Sequence, residues 1–218
     1  MKLLSLAPLC LTVVLLGVAC ALPRAAPSTG NIPASLHLVW RLETNLLHAS
    51  ACPVRILKNG TVLFLTAKHA FRNMDTGFVQ SRDKQRKLTV LSHIEHPTAD
   101  LAAFVVEGDG EPVILYTLNL QGCSIGDRVY TSGFPGPLLH WFGYEGFLGM
   151  VGHHSAIIEI GMSGGPLVDA KGSLVGILRG HAVRFDEMGK TTRNLPNQAI
   201  SGMLHLHQEW LRQVGVIE

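Results

Sequence analysis

Residues 161–166 read Gly161-Met162-Ser163-Gly164-Gly165-Pro166. A serine set among glycines fits two things. One is an ordinary tight turn, because glycine accepts positive φ and serine caps turns. The other is a turn sharp enough to expose the Ser163 Oγ, with backbone N–H groups left to meet a developing oxyanion. Gly161 can aim its own N–H at such a site and Ser163 supplies a second. Gly164 and Gly165 would let a substrate backbone approach closely.

Outward from this turn the chain is a series of short apolar runs. Leu167-Val168 and Ser173–Leu178 flank the turn Asp169-Ala170-Lys171-Gly172. Pro53–Leu57 and Thr61–Thr66 flank Lys58-Asn59-Gly60, and Asn-Gly between apolar runs is a strong hairpin signal. Leu36–Trp40, Lys87–Leu91, Leu101–Val106, Val113–Leu115, Arg128–Ser132, Phe147–Val151 and Ala156–Glu159 read as further strands. Helical spacing occurs in one stretch, Ala199–Val214, where Ile200, Met203, Leu204, Leu206, Trp210, Leu211 and Val214 recur three and four apart. Many short strands and one terminal helix point to an all-β protein built of barrels or a sandwich, with a C-terminal α-helix.

Composition agrees. Of 218 residues 47% are hydrophobic and 16% charged, with 23 Gly and 11 Pro. Mean hydropathy is +0.26. This excludes a disordered or solvating chain. Eighteen Lys+Arg against 16 Asp+Glu leave a net charge of +2, with no basic stripe for nucleic acid.

Part of the hydropathy is local. Residues 1–21, MKLLSLAPLCLTVVLLGVACA, place Lys2 ahead of an apolar run that ends in small residues, the form of a signal peptide cleaved after Ala21. This predicts a secreted or periplasmic protein. Two rivals stay open. Residues 3–20 are nearly long enough to anchor the chain uncleaved, since about 20 apolar residues span a bilayer. Cys20 could also be acylated within an imperfect lipobox. Residues 22–35 read as a flexible leader rich in proline and small residues, followed by one domain over 36–218. Beyond the signal, Cys52 and Cys123 form either one disulfide or two free thiols.

A nucleophilic serine needs a base, and the base needs an orienting group. His69 stands in Leu65-Thr66-Ala67-Lys68-His69-Ala70, at the exit of the second hairpin strand. Asp100 stands in His96-Pro97-Thr98-Ala99-Asp100-Leu101-Ala102, just ahead of an apolar strand, where burial requires a hydrogen-bond partner. Taken singly, each fits an ordinary turn or packed residue.

Together, in the order His, Asp, Ser, these strings resemble those of the trypsin/chymotrypsin-like serine peptidases. The resemblance runs from about Ala51 to Gly180. It is closest to the HtrA/Deg and glutamyl-endopeptidase-like branch, whose members carry a strand and loop like Gly126–Pro135 and a hairpin like 164–177. No PDZ-like domain is expected after it. The resemblance implies two antiparallel six-stranded β-barrels with the site in the crevice between them. It implies a Ser163–His69–Asp100 triad acting through an acyl-enzyme, with the Gly161 and Ser163 N–H groups as oxyanion hole. It implies protein or peptide substrates and no metal or organic cofactor. A membrane partner follows only from an uncleaved N-terminus or an acylated Cys20. An inactive or partner-activated binding module on the same fold is the competing expectation.

Three departures stand out. Met162 occupies the place where animal members carry the aspartate that pairs with a new N-terminus. Ala70 follows His69 where a bracketing cysteine is usual, so Cys52 lacks that partner. The interval from His69 to Asp100 is short. By position relative to Ser163, Ile157 and Ile158 should form the base and wall of the specificity pocket. Arg179-Gly180-His181 should be the edge that pairs with substrate. The apolar pair favours a small or medium hydrophobic side chain, whereas Arg179 or His181 could receive an acidic one.

Other features have plainer readings. His153-His154 on a strand face opposite ways, and His205 and His207, read as helical, share no face. Neither pair predicts a metal site. Trp40, Trp141 and Trp210 read as core or barrel caps, and Lys84, Arg86 and Lys87 as a solvated loop.

Overall fold

A computed structural model describes residues 32–45, 47–72, 77–136, 140–150, 152–185 and 191–218; for 181–185 and 191–198 it describes the backbone. The expected signal, 1–21, and most of the leader lie outside the described residues.

The chain folds as two six-stranded antiparallel sheets. The first is a closed barrel, in the order β1 (Trp40–Thr44), β2 (His48–Ile56), β3 (Val62–Thr66), β6 (Ala102–Val106), β5 (Lys87–Glu95) and β4 (Gly77–Gln80). The second runs β8 (Phe142–Phe147), β7 (Arg128–Gly133), β10 (Pro166–Asp169), β11 (Leu174–Phe185), β12 (Thr191–Met203) and β9 (His153–His154). Among the described residues this second sheet curls without a continuous closing ladder, and one bridge, Leu148 to His154, spans its two edges.

The period-2 geometry of strands explains the layering. Along β3, Val62 and Phe64 point into the first barrel, where Phe64 stacks on Phe104 and meets Trp40 edge-on. The alternate residues Leu63 and Leu65 point outward, yet are buried, because they enter a second layer with Cys52, Leu101, Ala103 and Ile177. Trp210 and Leu211 of the C-terminal helix α1 (Gln208–Gln213) close that layer. β3 and β6 are thus buried on both faces, and their ends lead directly to His69 and Asp100.

The β2–β3 hairpin forms as expected. Gly60 N–H donates to Leu57 O at 2.9 Å, and the strands resume with Leu57 N–H on Thr61 O at 2.8 Å. Gly60 takes the positive φ, +81°. The Asp169–Gly172 turn closes likewise, with Gly172 N–H on Asp169 O.

Several expectations are corrected. Ala199–Met203 is strand, not helix: Gly176, Ile177, Leu178, Gly180 and His181 pair with Met203, Gly202, Ser201, Ile200 and Ala199. Sheet partners supplied by β11 and β9 outweigh local spacing there, and only Gln208–Gln213 is α-helical. His205 falls in a 3-10 turn (Leu204–Leu206), and His207 sits between that turn and the helix. Of the expected strand Leu36–Trp40, only Trp40 is in a strand, as the first residue of β1. Ala34–Leu38 is a 3-10 turn that takes up Ala34 and Ser35 of the expected leader. The Leu36 carbonyl accepts from Ser132 Oγ and Trp141 Nε1, pinning the turn to the second sheet. Val113–Leu115 and Ala156–Glu159 run as irregular segments, and β8 ends at Phe147. Ala156 crosses so close to Gly146 that no Cβ fits there, so backbone contact replaces a ladder. Arg86 is no solvated residue: it is paired with Asp109 and donates to the carbonyls of Glu111 and Pro112. Cys52 and Cys123 are free thiols.

Candidate active site

His69 lies in a 3-10 turn (Lys68–Phe71) that follows β3 directly. Asp100 lies in the turn that leads into β6. Because β3 and β6 are neighbours, with Thr66 opposite Ala102, the two side chains meet. Asp100 accepts twice from one residue: His69 N–H donates to Oδ1 at 2.9 Å, and Nδ1 lies 2.8 Å from Oδ2. A carboxylate at Nδ1 fixes the proton there and leaves Nε2 as the basic nitrogen. Burial works to raise the Asp100 pKa. The two bonds from His69, its charge and that of Arg179 outweigh it and hold the carboxyl below its usual range.

The Asp100 turn has its own support. His96 Nδ1 accepts from the N–H groups of Thr98 and Ala99, at 3.2 and 2.9 Å. The His96 N–H also donates to Leu101 O at 2.8 Å.

On the second sheet, Ser163 sits in the turn between Gly161 and β10. Gly161 and Gly164 adopt φ of +97° and +84°. Gly164 N–H donates to Leu178 O at 2.7 Å, and Gly165 N–H to Met162 O at 2.9 Å. Met162 is fully buried among Val129, Leu167 and Leu178, so an apolar side chain anchors the turn from below. Among the described residues, the N–H groups of Gly161 and Ser163 have no intramolecular acceptor. Two adjacent unsatisfied donors on a turn are what an oxyanion requires.

Arg179 connects the two halves. Ser163 Oγ donates to the Arg179 carbonyl at 3.2 Å, and Arg179 Nε lies 3.7 Å from Asp100 Oδ2. His69, Asp100 and Arg179 line one side of a hollow of about 640 Å³ that also includes Lys68, Arg72 and Glu95. Among the described residues, Ser163 makes no bond to His69.

The other candidates are placed as follows. On its β10 side, β11 pairs as far as Leu178, leaving 179–181 as a free edge beside Ser163. A Cβ at Gly180 would meet open space, so a chain can approach that edge. The backbone of His181 belongs to this edge, and its side chain lies outside the description. Ile158 is buried in the core with Met162, whereas Ile157 is half-buried and its carbonyl accepts from Thr131 Oγ1 at 3.1 Å. Among the described residues no cluster of three or more His, Cys, Asp or Glu is arranged to hold a metal ion, and no helix is long and apolar enough to cross a membrane.

Sequence reasoning missed Ser50. It is fully buried on β2 and bonded to the nucleophile turn. The one local sign was a run of small residues, Ala49-Ser50-Ala51, ahead of the apolar Cys52, Pro53 and Val54.

The family described as "Trypsin-like peptidase domain" matches residues 54–177. No curated protein matches the chain. Among solved structures, an inactive form of Rv3671c from M. tuberculosis H37Rv is similar at a TM-score of 0.67 and 17% identity, over 90% of this chain and 98% of that one. A variant of the HtrA-type protease AlgW, solved with a tripeptide, is similar at 0.64 and 23%, over 82% and 60%. The serine endoprotease from Yersinia pestis is similar at 0.63 and 21%, over 88% and 64%. At these identities the likeness establishes the fold.

Proposed function

The chain belongs to the trypsin-like peptidase domain family, and on that premise we propose that it is a serine endopeptidase cutting protein or peptide substrates through Ser163, His69 and Asp100. The observation that carries this is the two-point bond from His69 to Asp100, 2.9 and 2.8 Å, together with a serine turn whose Gly161 and Ser163 amides have no acceptor among the described residues.

The chemistry follows from the geometry. Asp100 holds the ring with its proton on Nδ1, so Nε2 takes the Ser163 proton as Oγ attacks the scissile carbonyl. The carbonyl oxygen gains charge as the tetrahedral centre forms, and the Gly161 and Ser163 N–H groups receive it. One such donor is typically worth ~3 kcal/mol. His69 then protonates the leaving amine, and water releases the acyl group by the same route. The free edge at Arg179–His181 pairs with the substrate backbone. Export of the chain is supported by the sequence of residues 1–21 alone.

One observation favours a second reading, a module that is inert or awaits a partner: Ser163 Oγ is engaged by the Arg179 carbonyl and not by His69. A fluorophosphonate probe separates the two. Labelling of the wild type but not of Ser163→Ala supports the peptidase, and a folded wild type that stays unlabelled overturns it. A peptide-library digest read by mass spectrometry then gives the side-chain preference. Cleavage after apolar residues fits Ile157, and cleavage after Glu points to Arg179 and His181.

A further inference from the structure

Resting on the peptidase reading, we propose that Ser50 is a positioning residue that holds the oxyanion turn in its receptive shape from the opposite barrel. Ser50 lies on β2 of the first barrel, is fully buried, and uses all of its polar groups. Its N–H donates to the Ser163 carbonyl at 2.7 Å. Its Oγ donates to the Gly161 carbonyl at 3.0 Å and accepts from the Phe134 N–H at 3.1 Å. Its carbonyl accepts from Thr66 Oγ1 at 2.8 Å, three residues before His69. One side chain therefore joins the nucleophile turn to the β7–β8 connection, while the main chain of the same residue ties it to the strand that delivers the base.

The need for such a tie follows from the turn itself. Gly161, at φ +97° and without a Cβ, is the softest link in the turn. If the Ile160–Gly161 peptide turned over, a carbonyl would replace the N–H where the oxyanion must sit. Two constraints oppose this. The Ile160 carbonyl, on that peptide itself, is held by Gly136 N–H at 2.6 Å, and the Gly161 carbonyl, on the next peptide, is held by Ser50 Oγ, so the turnover cannot be shared with its neighbour. Ser50 serves the first bond as well, because it fixes Phe134, at the start of the segment that supplies Gly136. The fit is close, since a Cβ on Gly161 would run into Phe134 O and Gly136 N. Met162 packs beneath the turn, but apolar packing has no direction and does not choose between the two peptide orientations. The bonds of Ser50 Oγ have direction: they fix the Gly161–Met162 peptide and the Phe134 N–H ahead of Gly136, and so favour the receptive orientation of the Ile160–Gly161 peptide.

The test compares wild type with Ser50→Ala and Ser50→Gly, reading the second-order rate of labelling by a fluorophosphonate, kcat and KM on the peptide cut in the library digest, and thermal melting. Both variants should label about 10- to 100-fold more slowly, because a misdirected donor loses most of its effect. kcat should fall by the same factor, with KM within about twofold, since the β11 edge that binds substrate is untouched. Ser50→Gly adds no atom to the strand, so it serves if Ser50→Ala packs poorly. Folded variants that label and turn over at the wild-type rate overturn the proposal, as does a loss confined to KM. A wild type that does not label overturns the peptidase reading itself, and this inference with it.

Discussion

Ser163 Oγ donates to the Arg179 carbonyl oxygen, 3.2 Å away. That carbonyl belongs to the free edge of β11, which the substrate backbone is expected to occupy. On the proposed reading, attack on a substrate requires the serine to change rotamer and bond His69 Nε2, a rotation between staggered wells. In a crystal structure of the fluorophosphonate adduct, Oγ should have left hydrogen-bonding distance of Arg179 O. An adduct that keeps the original serine rotamer would count against this account.

Asp100 fixes the tautomer of His69, so removing its charge while keeping its shape should disable the base. Asp100→Asn is expected to lower kcat/KM by about 10⁴-fold. Steady-state kinetics and a circular dichroism spectrum decide the point. A loss below tenfold in a natively folded variant would show that the His69–Asp100 pair is merely structural.

His96 supports the Asp100 turn through a neutral ring, whose Nδ1 accepts two N–H groups. Burial, and secondarily the Lys68 charge, lower its pKa below 6.5. His207 and Trp210 face it from the C-terminal segment. A group with a depressed folded pKa, neutral when deprotonated, contributes its full stability above the unfolded value, near 6.5. That contribution is lost as pH falls from there through the lowered folded value. Urea unfolding between pH 7.5 and 5 should show a steeper loss for the wild type than for His96→Gln. Parallel losses in the two proteins would remove His96 from the explanation.

Gly164 has φ +84°, and a Cβ there would fall on Thr66 Oγ1 and the Ser50 carbonyl. Gly164→Ala should cost about 3 kcal/mol, from backbone strain and overpacking together. It should also abolish probe labelling, because the turn must back away from the first barrel. A wild-type urea midpoint would refute the close approach of the two barrels at this point.

The buried Leu65 belongs to the layer between the barrels. Leu65→Ala should destabilise the fold by about 2–5 kcal/mol. The check is chemical denaturation, and a change under 1 kcal/mol would place that layer outside the cooperative core.

How much of this was legible in sequence follows from distance along the chain. His69, Asp100 and Gly161–Pro166 are legible only together, through the resemblance that their three strings carry: each string is a short local run beside a strand, and taken singly each fits an ordinary turn. Ser50 could not be read, since the two partners of its hydroxyl lie 84 and 111 residues away. The same cause explains Ala199–Met203. Its local spacing suits a helix, but the residues that make it a strand sit on β11 and β9, where no window around 199–203 can find them.

The layer between the barrels also couples the site to a helix that touches none of its residues. Trp210 and Leu211 cover the face of β3 and β6 that ends at His69 and Asp100. On the proposed reading, a chain cut ahead of Gln208 keeps every residue of its serine turn but lacks the packing that clamps His69 and Asp100 beside it, so cutting ability depends on a helix outside the site.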